Sequence, residues 1–409
     1  MNVLYVYDGN WPRNATRVVK QTRSLASAGH VVHLISRNEL REARREQSPW
    51  MTVNRLPSVR SRLLNHIINF PYFFNPFWIW CIWSCARAMK ADCIVVADLP
   101  LALTAVWVGR ALRIPVHYDV VEPYPEALRS QWQFDRMRFT DPLVRNPKIA
   151  EWVERRVLAQ ADQIFVVSDE SRDRSIRQGA RAEHVVVVSN TPENAEEFFA
   201  PQPFPVEYEP WRDRLRVIFT GILRGDRGLH TAVEAIKLLE TRVPEAVLII
   251  VGDGAERDRV EQTIARLNLQ QRVILLGWQD HGRMPEFCAH AHVGLLPFLD
   301  CNHIRITLAN KLFDYMAAGL PLVASDVPPM RRILDETKAG VLFKPGDAAD
   351  LANAIEPLLR SEALRAELST RGQAAVRTTY HWGADERRFL HAVARAHGEA
   401  SASPQRVAS

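Results

Sequence analysis

The amino-acid sequence predicts an α/β protein with two doubly wound parallel sheets. Short apolar runs alternate with helical stretches twice along the 409 residues. Most of these runs are apolar throughout rather than alternating, as expected of strands that helices cover on both faces. A stretch with four prolines at 198–211 separates the two halves.

Each half contains six predicted strands. Those of the first half are at 3–9, 31–36, 93–98, 115–120, 163–168 and 184–190, and those of the second at 216–221, 246–252, 272–277, 293–297, 320–325 and 339–343. After Phe343 only helices are predicted. Two such sheets are expected to face a cleft at the carboxyl ends of their strands, where open α/β folds bind ligands.

The same patterns divide the chain into five parts. We predict a first domain at 1–197, a stiff linker at 198–211 and a second domain at 212–378. A C-terminal helix at 379–398 follows, and packing back on the first domain is one placement for it. The last residues, 399–409, have the composition of a disordered tail.

Composition excludes several classes. No apolar run reaches the roughly 20 residues of a membrane-spanning helix, and the N-terminal MNVLYVYDG enters a strand without a basic leader, so we expect no export. The five cysteines are odd in number and scattered, which favours reduced thiols in a cytoplasm. Cys81 and Cys85 share a helix face without further ligands, so no metal site is predicted.

Charge is concentrated at the N-terminal end. Residues 1–65 hold eleven Lys or Arg against four Asp or Glu, which favours an anionic partner such as a phosphate, a nucleic acid or an acidic lipid. Aromatic residues are not interleaved with these charges, so nucleic acid is the least favoured.

Residues 302–325 predict a loop, a short helix and a buried strand. Asn310 is the expected N-cap, and Gly319 with Pro321 ends the helix. Lys311 in the first turn opposes the helix dipole, at a cost of about 0.3–1 kcal/mol. A bound anion at this N-terminus would make the position of the lysine favourable, so we predict a diphosphate site. The alternative is a surface helix whose lysine points into water.

The loop after strand 216–221 has the sequence GILRGDRG. Gly221 lets the backbone approach a ligand, and Arg224 and Arg227 supply planar cations suited to phosphate oxygens. A glycine-rich turn with solvated arginines is the alternative. The spacing matches neither a Walker loop nor a dinucleotide fingerprint.

Two further strand ends carry candidate residues. Gly252 and Gly254 in VGDG need no role beyond a turn. Gly277 and Trp278 in GWQD are candidates for holding a nucleobase, although Trp278 is equally suited to a core or an interface.

An aromatic segment lies at 66–90. Trp78, Trp80 and Trp83 lie close together after several arginines, which predicts contact with an anionic membrane surface. Pro71 and Pro76 interrupt the segment, so it cannot span a bilayer. A core helix is the alternative.

The motifs GILRGDRG, VGDG, RVILLGW and DYMAAGLPLVAS, in this order and spacing, resemble the nucleotide-sugar domain of glycosyltransferase family 4. The segments RVVKQTRSLASAGHVV, IPVHYDVVEPYPE and VVSNTPE also resemble that family, so the resemblance covers essentially the whole chain. It implies the GT-B fold, two Rossmann-like domains facing a cleft, with retaining transfer from a nucleoside diphosphate sugar.

The resemblance assigns roles to single residues. Arg227 falls where the family has a lysine on the donor diphosphate, and Asp314 where its second glutamate holds the ribose. The first acid of that pair is replaced by Ile306, and an arginine after the first glycine by Ile222. These departures put the identity of the donor sugar in doubt.

Residues that can take over from the missing acid and the missing arginine lie nearby in the sequence. Asp300 or His303 is a candidate for the first acid, while Lys311 and Arg224 can compensate for the arginine. With the helix N-terminus, Arg224, Arg227 and Lys311 would stabilise the leaving diphosphate without a metal cofactor.

The first domain is expected to bind the acceptor. Asp119 and Glu122 follow a buried strand; Glu122 is the preferred acid for taking the acceptor proton or stabilising positive charge on the sugar, and a capping carboxylate is the alternative. Arg13 and Arg17, near the first strand–helix turn, are candidates for an acceptor phosphate or form a plain basic helix face.

We therefore predict transfer of a hexose to a lipid-linked saccharide in envelope polysaccharide biosynthesis, by an enzyme peripheral on the inner face of the cell membrane. Two alternatives stay open: a nucleotide-sugar epimerase or hydrolase of the same fold, and a catalytically silent nucleotide-sugar binder or membrane scaffold.

Overall fold

The chain forms two units, each organised around one β-sheet. The computed structural model describes residues 1–12, 15–70, 73–134, 145–193 and 195–402. The first unit comprises Met1–Leu128, Arg138–Ser189 and Asp385–Ser409, and the second comprises Arg129–Met137 and Asn190–Ala384. The division falls inside two helices, α5 and α16, whose bounds are given below.

The first unit contains an eight-stranded sheet with the order β3-β4-β2-β1-β5-β6-β7-β8. All neighbours are parallel except β3 and β4. The strands are β1 Asn2–Tyr7, β2 Val31–Ser36, β3 Arg45–Gln47, β4 Thr52–Arg55, β5 Cys93–Ala97, β6 Val116–Val120, β7 Gln163–Val166 and β8 Val185–Val187. The helices in this part of the chain are α1 Thr16–Ser27, α2 Arg62–Asn69, α3 Pro76–Ala88, α4 Leu99–Leu112, α5 Tyr124–Phe134, α6 Pro147–Leu158 and α7 Asp169–Arg177.

The second unit contains a six-stranded parallel sheet with the order β11-β10-β9-β12-β13-β14. Its strands are β9 Leu215–Thr220, β10 Ala246–Val251, β11 Val273–Gly277, β12 Val293–Leu296, β13 Leu322–Ser325 and β14 Gly340–Phe343. The helices are α8 Ala195–Phe199, α9 Leu229–Leu239, α10 Arg257–Arg266, α11 Met284–Ala289, α12 Asn310–Ala317, α13 Pro328–Thr337, α14 Ala348–Arg360, α15 Glu362–Thr378 and α16 Trp382–Ala402.

All twelve predicted strands are present, because each is an apolar run that the sheet buries. Two strands, β3 and β4, were not predicted. The three residues of β3 are all polar and exposed, so no apolar run marks them. β3 also pairs antiparallel at the sheet edge, which corrects the expectation of an entirely parallel first sheet.

The segments predicted to be irregular are more ordered than expected. In the stretch predicted as a linker, residues 206–211 form a 3-10 helix whose Tyr208 is buried in the core of the second unit. Its hydroxyl donates to the Phe287 carbonyl at 3.1 Å. The tail prediction began too early, because α16 extends through the helix-favouring alanines to Ala402.

The part of α16 from Asp385 onward belongs to the first unit. Asp385 is buried and accepts a hydrogen bond from the Ser189 amide at 2.8 Å. The fully buried Phe389 packs edge-on against Phe165 of β7, with ring centroids 4.9 Å apart. The C-terminal helix is therefore part of the core of the first unit.

We expect Phe389→Ala to lower the free energy of unfolding of the first unit by about 3–5 kcal/mol, because it leaves a cavity against Phe165. Arg387→Ala, an exposed position on the same helix, is the control. Denaturant unfolding of both variants measures the difference. Equal stability of the two variants would contradict the assignment of α16 to that core.

Candidate functional site

The carboxyl ends of β9 and β12 form the candidate site of the second unit. β9 lies between β10 and β12, so the strand order reverses beside it. Open α/β sheets bind their ligands at such a switch point. The loop from Gly221 to Gly228 follows β9, and Pro297 and Phe298 follow β12.

Two glycines bring the loops of this edge together. Gly221 has φ +120°, and a Cβ there would lie 2.7 Å from Lys311 Nζ. Gly252 has φ +144°, and a Cβ there would lie 2.0 Å from the Gly221 carbonyl oxygen. Both positions need a residue without a side chain. Gly221 therefore brings its backbone close to Lys311, and the predicted approach of this backbone to a ligand stays a prediction.

Two cations share one aromatic ring at this edge. The Arg227 guanidinium carbon lies 4.9 Å from the centroid of Phe298. Lys311 Nζ lies 5.5 Å from the same centroid and 3.9 Å from that of Phe219. The rings attract each cation, but two positive charges in one place repel each other. This arrangement favours the binding of an anion.

Asp226 organises the arginines. This carboxylate is buried; its Oδ2 accepts from Arg224 at 3.1 Å and from Ser130 at 3.0 Å, and Arg227 Nε lies 3.6 Å from Oδ1. Burial would raise the pKa of Asp226, but a hydrogen bond from His303 and the charges of the two arginines outweigh it and lower the pKa. Asp226 thus stays ionised, and the sequence analysis missed it.

Lys311 lies in the first turn of α12, as predicted. Burial against the aromatic rings lowers its pKa well below the usual value, and the charge of Arg227 lowers it further. The described residues provide no carboxylate within ion-pair distance of its ammonium. A bound anion would supply the missing counter-charge.

The predicted N-cap at Asn310 is wrong. Ala309 occupies the cap position with an extended backbone, and no side chain caps the helix. Asn310 is instead the first helical residue and is exposed. The amide groups of the first turn of α12 are therefore not satisfied by a capping side chain, which leaves them available to a ligand.

The remaining predicted donor residues lie around the same sheet edge. Gly254 lies beside Leu223, Gly277 has φ +71°, and Trp278 after β11 is 61% exposed. Asp314 is partly buried in the second turn of α12. The roles of Gly277, Trp278 and Asp314 toward a nucleoside stay predictions.

The two candidates to replace the missing first acid both have partners in this structure, and their role toward a donor sugar stays a prediction. Asp300 is held by Arg305 through two hydrogen bonds of 2.5 and 2.7 Å. His303 is buried, with Nδ1 3.3 Å from Asp226 Oδ2. Ile306 ends a 3-10 helix at 304–306 and is partly exposed. The loop therefore presents an apolar side chain where the family has a carboxylate.

In the first unit, two predicted site residues bind each other. Arg17 Nη2 lies 2.7 Å from Asp119 Oδ1, and both side chains are buried. Arg17 also donates to the Val188 carbonyl, and Gln21 donates to the second oxygen of Asp119 at 2.9 Å. This corrects both assignments. Asp119 is occupied as the counter-ion of Arg17, so neither is available to an acceptor.

Glu122 is partly exposed just after β6, and its role stays a prediction. Asp98, at the end of β5, was missed. It has φ +64° and ψ 161°, a strained backbone for a residue with a side chain. Burial raises the pKa of Asp98 well above its usual value, and the charges of Asp8, Glu122 and Asp119 add to the effect. The only signal in the sequence is an acid directly after an apolar strand.

The remaining residues predicted to contact the acceptor or the membrane fall into three groups. Trp78 is fully buried, and its Nε1 donates to the Asn69 carbonyl at 3.2 Å, so its assignment to a surface is wrong. Trp80 and Trp83 are 53% and 38% exposed. Arg13 lies outside the described residues.

Within the described ranges, no group of three or more His, Cys, Asp or Glu is placed to hold a metal ion. None of the helices there combines the length and the apolar content that crossing a bilayer requires. The cysteines are free thiols, and burial raises the pKa of Cys85 to about 11.

Comparisons with curated proteins give relatives of one enzyme class. Alpha-D-kanosaminyltransferase of Streptomyces kanamyceticus is 25% identical over 236 residues, 57% of this chain and 58% of that protein. The lipopolysaccharide core biosynthesis glycosyltransferase LpsE of Rhizobium meliloti is 30% identical over 146 residues, 36% of this chain and 40% of that protein. The matches thus span between about two fifths and three fifths of these relatives.

Solved structures share the fold at low identity. Sucrose-phosphate synthase from Thermosynechococcus elongatus matches with a TM-score of 0.77 and 20% identity, over 98% of this chain and 100% of that one. HepE of Anabaena in complex with UDP matches with a TM-score of 0.71 and 16% identity, over 97% and 100%.

Two family descriptions cover most of both units. Residues 15–191 match the "Glycosyl transferase 4-like domain", and residues 207–375 match "Glycosyl transferases group 1". The resemblance noted in the sequence is thereby confirmed. The chain belongs to the family 4 glycosyltransferases, with the GT-B fold.

Proposed function

We propose that this enzyme transfers a hexose from a nucleoside diphosphate sugar to a lipid-linked saccharide in envelope polysaccharide assembly, with retention of the anomeric configuration. One observation carries the donor assignment. Arg227 and Lys311 converge on the ring of Phe298 beside the uncapped start of α12. A diphosphate is the anion whose charge and size suit this arrangement.

The electrostatics also suggest how the transfer would be accelerated. Arg224 and Arg227 lie beside one ionised carboxylate, that of Asp226, and Lys311 adds a third positive charge when a bound anion raises its pKa. Charge develops on the leaving diphosphate as the glycosidic bond breaks, and fixed cations stabilise it without reorganisation. We expect these groups to act without a metal cofactor.

The acceptor assignment rests on relatives and on chemistry. LpsE is named for lipopolysaccharide core biosynthesis, and AmsK of Erwinia amylovora for amylovoran biosynthesis. A saccharide acceptor on a lipid carrier is consistent with such polysaccharide biosynthesis. A peripheral location on the cytoplasmic face of the membrane is also consistent with it. The exposed Trp80 and Trp83 support that location.

A catalytically silent binder is the second candidate. Ile306 is apolar where the family's first acid contacts the donor sugar, and Asp300 nearby is engaged by Arg305.

The acids that would remain for chemistry are Glu122 and Asp98 in the first unit. Burial raises the pKa of Asp98 well above its usual value, which favours the protonated carboxyl.

Incubation of the enzyme with radiolabelled nucleotide sugars and a membrane lipid extract tests the reaction class. We expect label in the lipid fraction. Free or epimerised sugar would instead indicate a hydrolase or epimerase, and binding without product would indicate the silent binder. Analysis of the product anomer tests retention.

The diphosphate site is tested by Arg227→Ala and Lys311→Ala. A nucleoside diphosphate sugar at 100 times its dissociation constant adds about 2.7 kcal/mol of stability to the wild type. We expect each variant to bind at least about tenfold more weakly, because a charged contact contributes about 1.5–3 kcal/mol. Thermal shift against a panel of donors measures this.

Arg266→Ala is the matched control, since this arginine is 66% exposed at the far end of α10. Its ligand-induced shift should equal that of the wild type. Unchanged shifts in both site variants would contradict the diphosphate assignment.

Binding of UDP should take up a proton. The pKa of Lys311 is lowered in the free protein, and a diphosphate beside it raises that pKa. At a pH between the free and the bound pKa of Lys311, the complex holds more protons than the free protein. The affinity for UDP therefore falls as the pH rises from the lower pKa to the higher one.

Calorimetry in buffers of different ionisation enthalpy, at a series of pH values below the ordinary pKa of lysine, measures the uptake. Lys311→Met should abolish it. Proton uptake of the same size in Lys311→Met and wild type would exclude Lys311 as its source.

A further inference from the structure

Helix α2 buries polar side chains and exposes its apolar ones. Its buried residues are Asn65 and Asn69. Leu63, Leu64 and Ile67 are 69%, 55% and 52% exposed. A surface helix of a globular protein normally buries its apolar stripe. Here the apolar face of α2 has no partner in the described first unit.

Hydrogen bonds fix this orientation. Asn69 accepts from the Asn38 amide and donates to the Asn65 carbonyl at 2.9 Å. Asn65 accepts from the Val59 amide at 3.0 Å. Rotating α2 to bury its leucines would leave these buried amides unpaired, which is costly. These hydrogen bonds therefore fix the outward orientation of the apolar face, which does not reflect loose packing.

Helix α3, which contacts α2, has an exposed apolar face of its own. Its inner face buries Trp78, Cys81 and Ile82. Its outer face carries Phe77, Trp80, Trp83 and Arg87, with the first three 44%, 53% and 38% exposed. Successive offsets of three, three and four residues keep these four side chains on one side of the helix. The Arg87 guanidinium carbon lies 5.0 Å from the Trp83 ring centroid.

Cations border this surface. A cavity of about 660 Å³ lies at the start of α2, lined by Glu39, Arg41, Arg62, Leu63, Asn65 and His66. Glu39 is engaged by His66, whose Nδ1 lies 3.0 Å from its Oε1. Arg62 makes no ion pair within the described ranges, and Arg41 donates only to the Arg60 carbonyl, at 2.7 Å. Neither guanidinium group is in an ion pair with a carboxylate of the described residues.

We propose that the docking face, defined as Leu63, Leu64 and Ile67 of α2 with Phe77, Trp80 and Trp83 of α3, inserts into an anionic lipid bilayer. Arg41 and Arg62 contact lipid phosphates at the cavity. Leucine and isoleucine enter the acyl region, and tryptophan and arginine suit the headgroup level. The proposal rests on the proposed lipid-linked acceptor for its purpose, but lipid binding itself requires no donor.

A second copy of the chain is a poorer occupant. Symmetric pairing through this face would bring the arginines of both copies, Arg41, Arg60 and Arg62, into one interface, and the accumulated like charge disfavours association. An anionic leaflet supplies the opposite charge and an apolar interior together.

Vesicle flotation without donor tests the proposal. The wild type should float with vesicles containing about 30% phosphatidylglycerol and less with neutral vesicles. Leu64→Ser with Ile67→Ser, and separately Trp80→Ser, should weaken binding at least about tenfold. Arg62→Glu should weaken binding to anionic vesicles alone and reduce its salt dependence. Leu238→Ser, 44% exposed on α9, is the matched control and should bind normally.

Wild type that stays with the pellet, or docking-face variants that float as well as wild type, would overturn the proposal. A lipid-free dimer abolished by the same variants would overturn the bilayer as occupant. A preserved donor-induced thermal shift shows that the variants are folded. Normal flotation without sugar transfer would count against the proposed function and leave the docking face standing.

Discussion

The desolvated cation pair at the carboxyl edge of the second sheet is the constraint on which this unit is built. Lys311 and Arg227 repel each other, yet both are held against Phe298. Glycine is favoured at position 221 because φ is +120° there, and its missing side chain leaves room for Lys311 Nζ. Asp226 is required because an ionised carboxylate must hold the arginines in place. Stability is given up locally so that charge is preorganised for a ligand.

The two units treat buried charge in opposite ways. In the first unit Arg17 and Asp119 neutralise each other; Arg17 also donates to the backbone and Asp119 accepts from Gln21, so the pair is complete without a ligand. In the second unit the cations outnumber the carboxylate. A satisfied ion pair is a structural element, whereas an excess of one sign favours the binding of a counter-ion. The same residue types thus serve different purposes according to their neighbours.

Helix α2 presents a third case, in which polar groups are buried and apolar groups exposed. Its two asparagines are satisfied by neighbouring backbone, so the hydrogen bonds outweigh the ordinary preference for burying leucine. Together with the outer face of α3, this gives a glycosyltransferase of this family an apolar surface on the same unit that is expected to bind the acceptor.

The sequence by itself determined twelve of the fourteen described strands, because parallel strands covered on two faces must be apolar runs. It also determined the loop of Gly221 and Arg227 and the position of Lys311, since turns and helix starts leave local signals. Only the tertiary structure decided which charges meet. Arg17 and Asp119 are 102 positions apart, Ser130 and Asp226 are 96 apart, and no local pattern couples them. Likewise, the periodicity of α2 showed an apolar face, but its direction depends on hydrogen bonds to Asn38 and Val59.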